Sequence, residues 1–316
     1  MMKSSDILKI RDSVMYNSNV KNDIKIAGLG DIHLSNLVGQ KDVDFISQTL
    51  YEENPDYICM LGDLIDTPRI LENDKKVNEL MTLIKNSASI APTLIVLGSH
   101  DFVFKVDDGY EDFFDLLGIW NDVDEVPNAH VLNDKIYQDD KVFIAGYRQK
   151  DEVYHSPLAK KHEDYLAYYN DLVVRENLYD NLPCGVPKIF LTHSPEPIHD
   201  NPNAWLLNEY DLILTGHYHN GCVPEILDDI WISKNGGIIN PKKRLLPKYA
   251  RGIVKLETGT YLIYNGGWVK IQECAPRVLQ PLDSLCNRQM DMVTLTSNEK
   301  IEEPVVKSRK KVLKLY

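Results

Sequence analysis

Short apolar runs recur along the chain, and each of them leads into a histidine or an aspartate. They occupy residues 24–30, 57–61, 93–98, 188–192 and 211–216. Their length and their aliphatic, β-branched content predict strands that are buried on both faces. The carboxyl ends of neighbouring parallel strands meet at one edge of a sheet, so we expect the polar residues that follow these runs to lie together.

Helical patterns separate the first of these strands. Residues 40–53 and 72–86 repeat apolar side chains at the spacing of an amphipathic helix. The alternation of strand and helix predicts a layered α/β fold. Two later segments predict further strands, one at residues 141–148 and a hairpin at 252–265. They indicate either a mixed sheet or a second sheet that packs on the first.

Two segments fall outside this alternation. Residues 149–184 are predicted to be an insertion with a tyrosine-rich helix at 161–179, which either packs its aromatic rings on the sheet or forms a lid or substrate wall. From residue 288 onward the chain turns polar and loses clear periodicity. We therefore predict one domain over residues 1–287, followed by a peripheral polar tail over 288–316.

Composition narrows the class of protein. The chain has 316 residues, of which 43% are hydrophobic, and 35 Lys and Arg stand against 47 Asp and Glu. This apolar content can build a core, whereas the net charge of −12 counts against a dedicated nucleic-acid binder. We find no apolar run of the roughly 18–20 residues that span a membrane, and no apolar leader. The five cysteines contain no C-x-x-C pair. We therefore predict a cytoplasmic protein with reduced thiols.

The polar residues after the strands form five blocks that share histidine and aspartate. Imidazole and carboxylate together suit Mn, Fe, Zn, Co or Ni. The ligands suffice for two ions, and two ions about 3.5–4 Å apart are a known device for displacement at a phosphoester. In chain order the blocks are Asp31-x-His33, Gly62-Asp63-x-x-Asp66, Gly98-Ser99-His100-Asp101, His193 and Gly216-His217-x-His219.

With these blocks in order, the chain resembles the calcineurin-like metallophosphoesterases. The pattern of that family is D-x-H, G-D-x-x-D, G-N-H-D/E, a lone histidine and G-H-x-H, and it covers roughly residues 24–220 here. The resemblance implies a four-layer α/β fold in which two packed mixed sheets are flanked by helices. It also implies a cofactor of two divalent metal ions, such as Mn, Fe or Zn, at the strand ends.

The resemblance also implies a role for each metal ligand. Three residues would hold the first ion, one would bridge both ions, and two would hold the second ion. The first ion would be held by Asp31, His33 and His219, and the second by His193 and His217. The bridging ligand would be Asp63.

The third block supplies the implied catalytic residues. His100 would contact the phosphate and protonate the leaving oxygen, and Asp101 would hydrogen-bond His100 and raise its basicity. Asp66 would brace the loop after the second strand. Ser99 stands where the family has asparagine, whose amide oxygen binds the second metal. Because a serine hydroxyl is one bond shorter, we expect it to reach that metal only through water.

These roles predict metal-dependent hydrolysis of a phosphoester, with a hydroxide that bridges the two metals as the nucleophile and no covalent phosphoenzyme. Two other functions compete with this one. The first is a nuclease of the same superfamily, and the second is a binding scaffold weakened by Ser99. The choice of monoester or diester, the native metal and the oligomeric state stay open at this point, and no membrane partner is expected.

Overall fold

A computed structural model of the chain describes residues 6–106, 109–112, 118–149, 170–199, 203–228, 234–239, 245–269 and 280–312. Its strands are β1 (Ile7–Tyr16), β2 (Ile24–Leu29), β3 (Tyr57–Leu61), β4 (Thr93–Val96), β5 (Val103–Val106), β6 (Gly109–Asp112), β7 (Ala129–Val131), β8 (Lys135–Gln138), β9 (Phe143–Tyr147), β10 (Lys188–Thr192), β11 (Leu212–Thr215), β12 (Gly252–Lys255), β13 (Tyr261–Tyr264), β14 (Arg288–Thr296) and β15 (Val305–Val312). Its α-helices are α1 (Gln40–Glu53), α2 (Asp74–Ile90), α3 (Ser99–Phe102), α4 (Ile119–Asp124), α5 (Glu196–His199) and α6 (Glu225–Asp228).

Two mixed sheets form the centre of the fold. The larger sheet has the strand order β15-β1-β14-β2-β3-β4-β7, and the smaller has the order β12-β13-β11-β10-β9-β8. Within them β2, β3 and β4 run parallel, as do β9, β10 and β11. Strands β5 and β6 form a separate ribbon. The predicted fold class, two mixed sheets flanked by helices, is confirmed.

The buried strands show why one apolar run can serve two cores. In β3, Cys59 and Leu61 face the other sheet, whereas Ile58 and Met60 face the layer that contains α1 and α2. Successive side chains of a strand point to opposite faces, so a strand between two apolar layers is apolar at every position. The same layer between the sheets contains Leu191 of β10, which places the ends of strands from both sheets close together.

Most of the predicted elements have the expected bounds. The five apolar runs and residues 141–148 form β2, β3, β4, β10, β11 and β9, and the hairpin forms β12 and β13 with Gly252 opposite Tyr264. The two predicted helices are α1 and α2. Helix α1 is followed by Asn54, which has a left-handed φ of 47° and donates its N–H to the Leu50 carbonyl. These predictions are confirmed.

The C-terminal segment differs from its prediction. Strand β14 lies between β1 and β2 in the larger sheet, and β15 pairs with β1 at its edge. The peripheral polar tail predicted over 288–316 is therefore wrong for residues 288–296 and 305–312. The polar pattern of β14 did not predict a strand, because its polar side chains have partners inside the protein. Asp291, for example, accepts a hydrogen bond from Arg11, 280 residues earlier.

The predicted insertion lies mostly outside the described residues. Of the helix predicted over 161–179, the described part begins at residue 170 and contains a short 3-10 turn at Glu176–Leu178. Leu172 and Leu178 pack in the core on the outer face of the smaller sheet. Among the helices of the described residues, none is both long and apolar enough to span a membrane.

Candidate metal centre

The candidate ligands leave the ends of strands in both sheets. Asp31 and His33 follow β2, Asp63 follows β3, and His217 and His219 follow β11. All five residues have a positive φ, between 46° and 68°. This conformation is uncommon for residues other than glycine and persists where the surrounding structure enforces it, often at functional sites. Five of the proposed ligands therefore have a strained backbone conformation.

Two glycines allow neighbouring ligands to approach the strand ends. Gly62 has a φ of 82°, and a Cβ there would lie 2.6 Å from Nδ1 of His193. A Cβ at Gly98 would overlap the carboxylate of Asp63. Only glycine therefore leaves room for the two side chains that enter the centre from different sheets.

The first ligand group consists of Asp31, His33 and His219. One ligand atom from each lies within 4.8 Å of the others. His219 places Nε2 3.6 Å from Oδ1 of Asp31, while its Nδ1 lies 2.5 Å from the Val269 carbonyl. A carbonyl only accepts, so Nδ1 carries the proton and Nε2 presents a lone pair to the group. In the described part of the chain, neither buried ring nitrogen of His33 makes a hydrogen bond.

The second ligand group consists of Asp63, His193 and His217. His193 Nε2 lies 3.1 Å from Oδ2 of Asp63 and 3.2 Å from Nδ1 of His217. Nδ1 of His193 lies 2.6 Å from the Leu61 carbonyl and therefore holds the proton, which leaves Nε2 as a lone pair. Burial lowers the pKa of His193, but the charges of Asp63 and Asp31 and the hydrogen bonds to Asp63 and Leu61 together outweigh it and raise that pKa to about 9. The surroundings of His193 favour positive charge.

These contacts fit divalent cations. Imidazole nitrogens and carboxylate oxygens converge at 3.1–3.7 Å, where lone pairs repel unless a proton or a metal lies between them. The donor set suits transition metals better than Mg or Ca. Two of the histidines are oriented by backbone carbonyls, which is the usual arrangement behind a metal-bound imidazole. The residues present can therefore hold metal ions.

His100 lies beside both groups and is positioned by Asp66. Its backbone N–H donates to Oδ1 of Asp63 at 2.9 Å, and its Nδ1 lies 2.6 Å from the Asp66 carbonyl. The carboxylate of Asp66 lies 3.3 Å from Nδ1 of His33. Sequence reasoning assigned Asp66 only a bracing role and missed these contacts with two histidines. The fixed spacing of Asp63-x-x-Asp66 was the signal for them.

Burial and charge act in opposite directions on His100. Burial lowers its pKa, whereas the carboxylate of Asp63 and the carbonyl of Asp66 raise it, and the net shift is upward from the ordinary 6.5. Since Nδ1 donates to a carbonyl, the second proton of the imidazolium sits on Nε2. Nε2 is therefore the nitrogen of His100 that gains or loses a proton when the ring titrates.

Asp101 differs from its predicted role. Its Oδ1 accepts from the N–H groups of Leu64 and Ile65 at 2.7 and 3.2 Å, and its Oδ2 accepts from Gly98 at 2.8 Å. Burial raises its pKa to about 7, an effect that those amides oppose. We expected Asp101 to hydrogen-bond the His100 ring, but Nδ1 of His100 bonds the Asp66 carbonyl instead. Asp101 holds the loop after β3 against the turn after β4.

Ser99 begins α3 and is buried. The preceding residue, Gly98, packs against Asp63 and His193 of the second ligand group. That the Ser99 hydroxyl reaches the second metal through water stays a prediction, which a substitution can test.

The fold and the two ligand groups define the chain as an α/β sandwich of the metallophosphoesterase type. The family model for calcineurin-like phosphoesterases matches residues 24–221, which is more than half of the chain. The protein belongs to this family.

Several known proteins are similar to the chain. Two are uncharacterized metallophosphoesterases: one from Helicobacter pylori is 22% identical over 67% of this chain and 49% of its own length. The other, from Campylobacter jejuni, is 27% identical over 64% of this chain and 46% of its own. Among solved structures, a dimetal phosphatase from Danio rerio has 11% identity and a TM-score of 0.43, over 78% of this chain and 88% of that one. The chain spans about half the length of the curated relatives it matches.

Proposed function

We propose that the protein hydrolyses phosphoesters at a two-metal centre. The position of Asp63 between the two ligand groups carries this proposal. Its Oδ2 lies 3.7 Å from Nε2 of His33 and 3.1 Å from Nε2 of His193. One carboxylate oxygen within reach of both groups supports a bridge between two ions.

The proposed ligands follow the two groups. When bound, two divalent cations would neutralise the charge of the phosphoryl group and lower the pKa of water. Ser99 would complete the second set through water. The first ion would be held by Asp31, His33 and His219, and the second ion by His193 and His217. Asp63 would bind both ions.

His100 is the proposed general acid. The charge of Asp63 and the Asp66 carbonyl raise the pKa of the ring and so favour its protonated form, although burial opposes them, and the Asp66 carbonyl fixes which nitrogen faces the reaction. Nε2 would give its proton to the leaving oxygen, which spares the alkoxide from departing with a full negative charge. Asp66 acts through His100 and His33 and is a positioning residue. Asp101 acts on the loops alone and takes no part in proton transfer.

A cytoplasmic location also belongs to this proposal. Among the described residues, four cysteines are free thiols: Cys59, Cys184, Cys222 and Cys286. Their reduced state agrees with a reducing compartment. Fractionation of the cells that make the protein would test the location.

The function is tested with the purified, metal-stripped protein. It is offered p-nitrophenyl phosphate and bis-p-nitrophenyl phosphate, with and without added Mn, and bound metal is counted by elemental analysis. We expect release of nitrophenol only with metal, and loss of about 100-fold or more in His100→Ala, the usual contribution of a general acid. The preferred ester assigns the protein as a monoesterase or a diesterase.

His130→Ala provides a matched control. His130 lies in β7, where its ring contacts Tyr137, and belongs to neither ligand group. We expect this variant to retain the activity of the wild type. No turnover of either ester, with one bound ion or none, would contradict the hydrolase and favour the scaffold weakened by Ser99.

A further inference from the structure

A positively charged cleft lies along one open edge of the sandwich. It has a volume of about 480 Å³ and runs between β1, β14 and β15 of the larger sheet and β12 and β13 of the smaller sheet. Five of the side chains that line it are cationic and one is acidic. These side chains are Lys9, Arg11, Lys234, Arg251, Lys255 and Glu303.

The cleft begins beside the metal centre. Asn220, which lines it, directly follows the ligand His219. Gln289 lines it from the other sheet and donates its N–H to the Gly267 carbonyl at 3.0 Å. Gly267 in turn packs so closely on Asp31 that a Cβ would lie 2.9 Å from that side chain. One wall is therefore joined to the first ligand group by the peptide bond between His219 and Asn220, and the other wall reaches Asp31 through Gly267.

Hydrogen bonds hold the cationic wall in place. Gly221 accepts from the N–H of Ile238 at 2.8 Å, which fixes residues 234–239 to the turn that carries His219. Asn235, next to Lys234, accepts from the N–H groups of Ala250 and Arg251. The main chain that carries Lys234 and Arg251 is thus tied to the turn that carries His219.

The strand register gives the length of the cleft. Gly252 pairs with Tyr264 near the metal centre, and Lys255 pairs with Tyr261 three residues further along. At about 3.3 Å per residue this step covers roughly 10 Å. A cation thus stands at each end of a path about as long as a phosphorylated sugar.

The charge of the cleft is opposite to that of the whole chain. Within the described part of the chain, Arg11 pairs with Asp291 at 2.5 Å and Lys255 pairs with Glu303 at 3.2 Å. Five positive charges therefore face two carboxylates, Glu303 in the lining and Asp291 behind Arg11, in a protein of net charge −12. A local positive field of this kind selects anions and raises their concentration beside the centre.

We propose that this cleft binds a second phosphate of the substrate, so that the protein acts on small phosphoesters that carry a further phosphate group. The inference rests on the proposed hydrolysis at the metal centre, which the first phosphate would occupy. A cleft of this volume falls in the usual range for small-molecule sites, about 300–1,000 Å³, and this favours a small bisphosphate over a nucleic-acid chain.

The test compares two inhibitors of p-nitrophenyl phosphate hydrolysis in saturating Mn. Fructose 1,6-bisphosphate is expected to inhibit at a concentration about fivefold or more below that of fructose 6-phosphate, as two or three partly exposed ion pairs would produce. In Lys9→Gln/Lys234→Gln the ratio of the two inhibition constants should fall towards one. The matched variant Lys41→Gln/Lys85→Gln, which changes charges on α1 and α2, should keep both the ratio and the basal activity of the wild type.

The outcomes separate this inference from the proposed function. Hydrolysis with equal inhibition by the two sugars overturns the cleft assignment and leaves the hydrolase standing. If neither ester is hydrolysed, the proposed function fails, and calorimetric binding of the same two sugars to the Mn-loaded protein decides the cleft on its own. Tighter competition by a thymidine oligonucleotide than by fructose 1,6-bisphosphate would overturn the small-molecule assignment.

Discussion

Arg309 of β15 donates two hydrogen bonds to Glu53, the last residue of α1, at 2.6 and 2.5 Å. The two residues are 256 positions apart in the chain. The same guanidinium donates to Asp12 of β1 at 2.8 and 3.1 Å. One side chain of the C-terminal strand therefore joins its neighbouring strand to the helix layer above the larger sheet.

Removal of this link should destabilise the fold by a moderate amount. Because the Arg309 side chain is 42% exposed, solvent screens its charge, and we expect Arg309→Gln to lower the free energy of unfolding by about 1–2 kcal/mol. Urea unfolding measures the change. Lys307→Gln on the same strand is the control and should alter stability by less than about 0.5 kcal/mol. Equal effects of the two variants would show that the pairing with Glu53 contributes nothing.

The same pair predicts a dependence of stability on pH. The hydrogen bonds from Arg309 lower the pKa of Glu53 from 4.5 to about 2, against the opposing effect of burial. Above pH 4.5 the carboxylate is charged in both the folded and the unfolded chain, and its full contribution is present. As the pH falls from 4.5 to about 2, the unfolded chain takes up the proton first and the contribution is lost.

This effect is isolated by comparing two proteins across that range. The stability difference between the wild type and Arg309→Gln should be largest above pH 4.5 and should shrink as the pH approaches about 2. Urea unfolding at several pH values gives the difference at each. A difference that stays constant through the range would show that the Glu53 pKa is not lowered by Arg309.

Substitutions at Ser99 test its place at the second metal. If the hydroxyl reaches that metal through water, Ser99→Asn supplies a direct amide oxygen and should tighten the second ion, whereas Ser99→Ala should weaken it by about tenfold. Titration with Mn, followed by elemental analysis, measures both changes. The idea is wrong if Ser99→Ala binds two ions as tightly as the wild type.

Substitution of Asp101 should lower stability, whereas substitution of His100 should lower activity. Asp101→Asn would turn an amide NH₂ towards backbone N–H groups that now donate to a carboxylate, and should lower the free energy of unfolding by about 2–3 kcal/mol. His100→Ala should lose activity and keep its stability. Unfolding curves and turnover, measured on the same samples, separate the two. Asp122→Asn, on the exposed face of α4, serves as the neutral control.

The sequence was informative wherever local pattern and local structure coincide. Buried strands such as β3 are continuously apolar, and the blocks around Asp31 and Asp63 follow them directly. Apolar spacing likewise predicted α1 with its observed bounds. These features depend on residues within a few positions of each other, so they can be inferred without the fold.

Strands β14 and β15 were missed for a physical reason. In β14, Gln289 and Asp291 are buried although they are polar, because their partners come from distant parts of the chain. Asp291 bonds Arg11 and also accepts from Asn265 at 2.7 Å. Strand β15 is exposed along most of its length, as an edge strand with one paired side is, and its Lys and Arg look like those of a tail.

The sequence by itself thus determined the family pattern, the order of the strands that carry ligands, and the types of the candidate metal-binding residues. Only the tertiary structure decided that Asp66 rather than Asp101 contacts His100, and that the C-terminal segment completes the larger sheet. It alone also revealed the cationic cleft, whose walls come from both ends of the chain. Hydrogen bonds and charges between residues hundreds of positions apart follow from how the two sheets pack, and no local pattern records that packing.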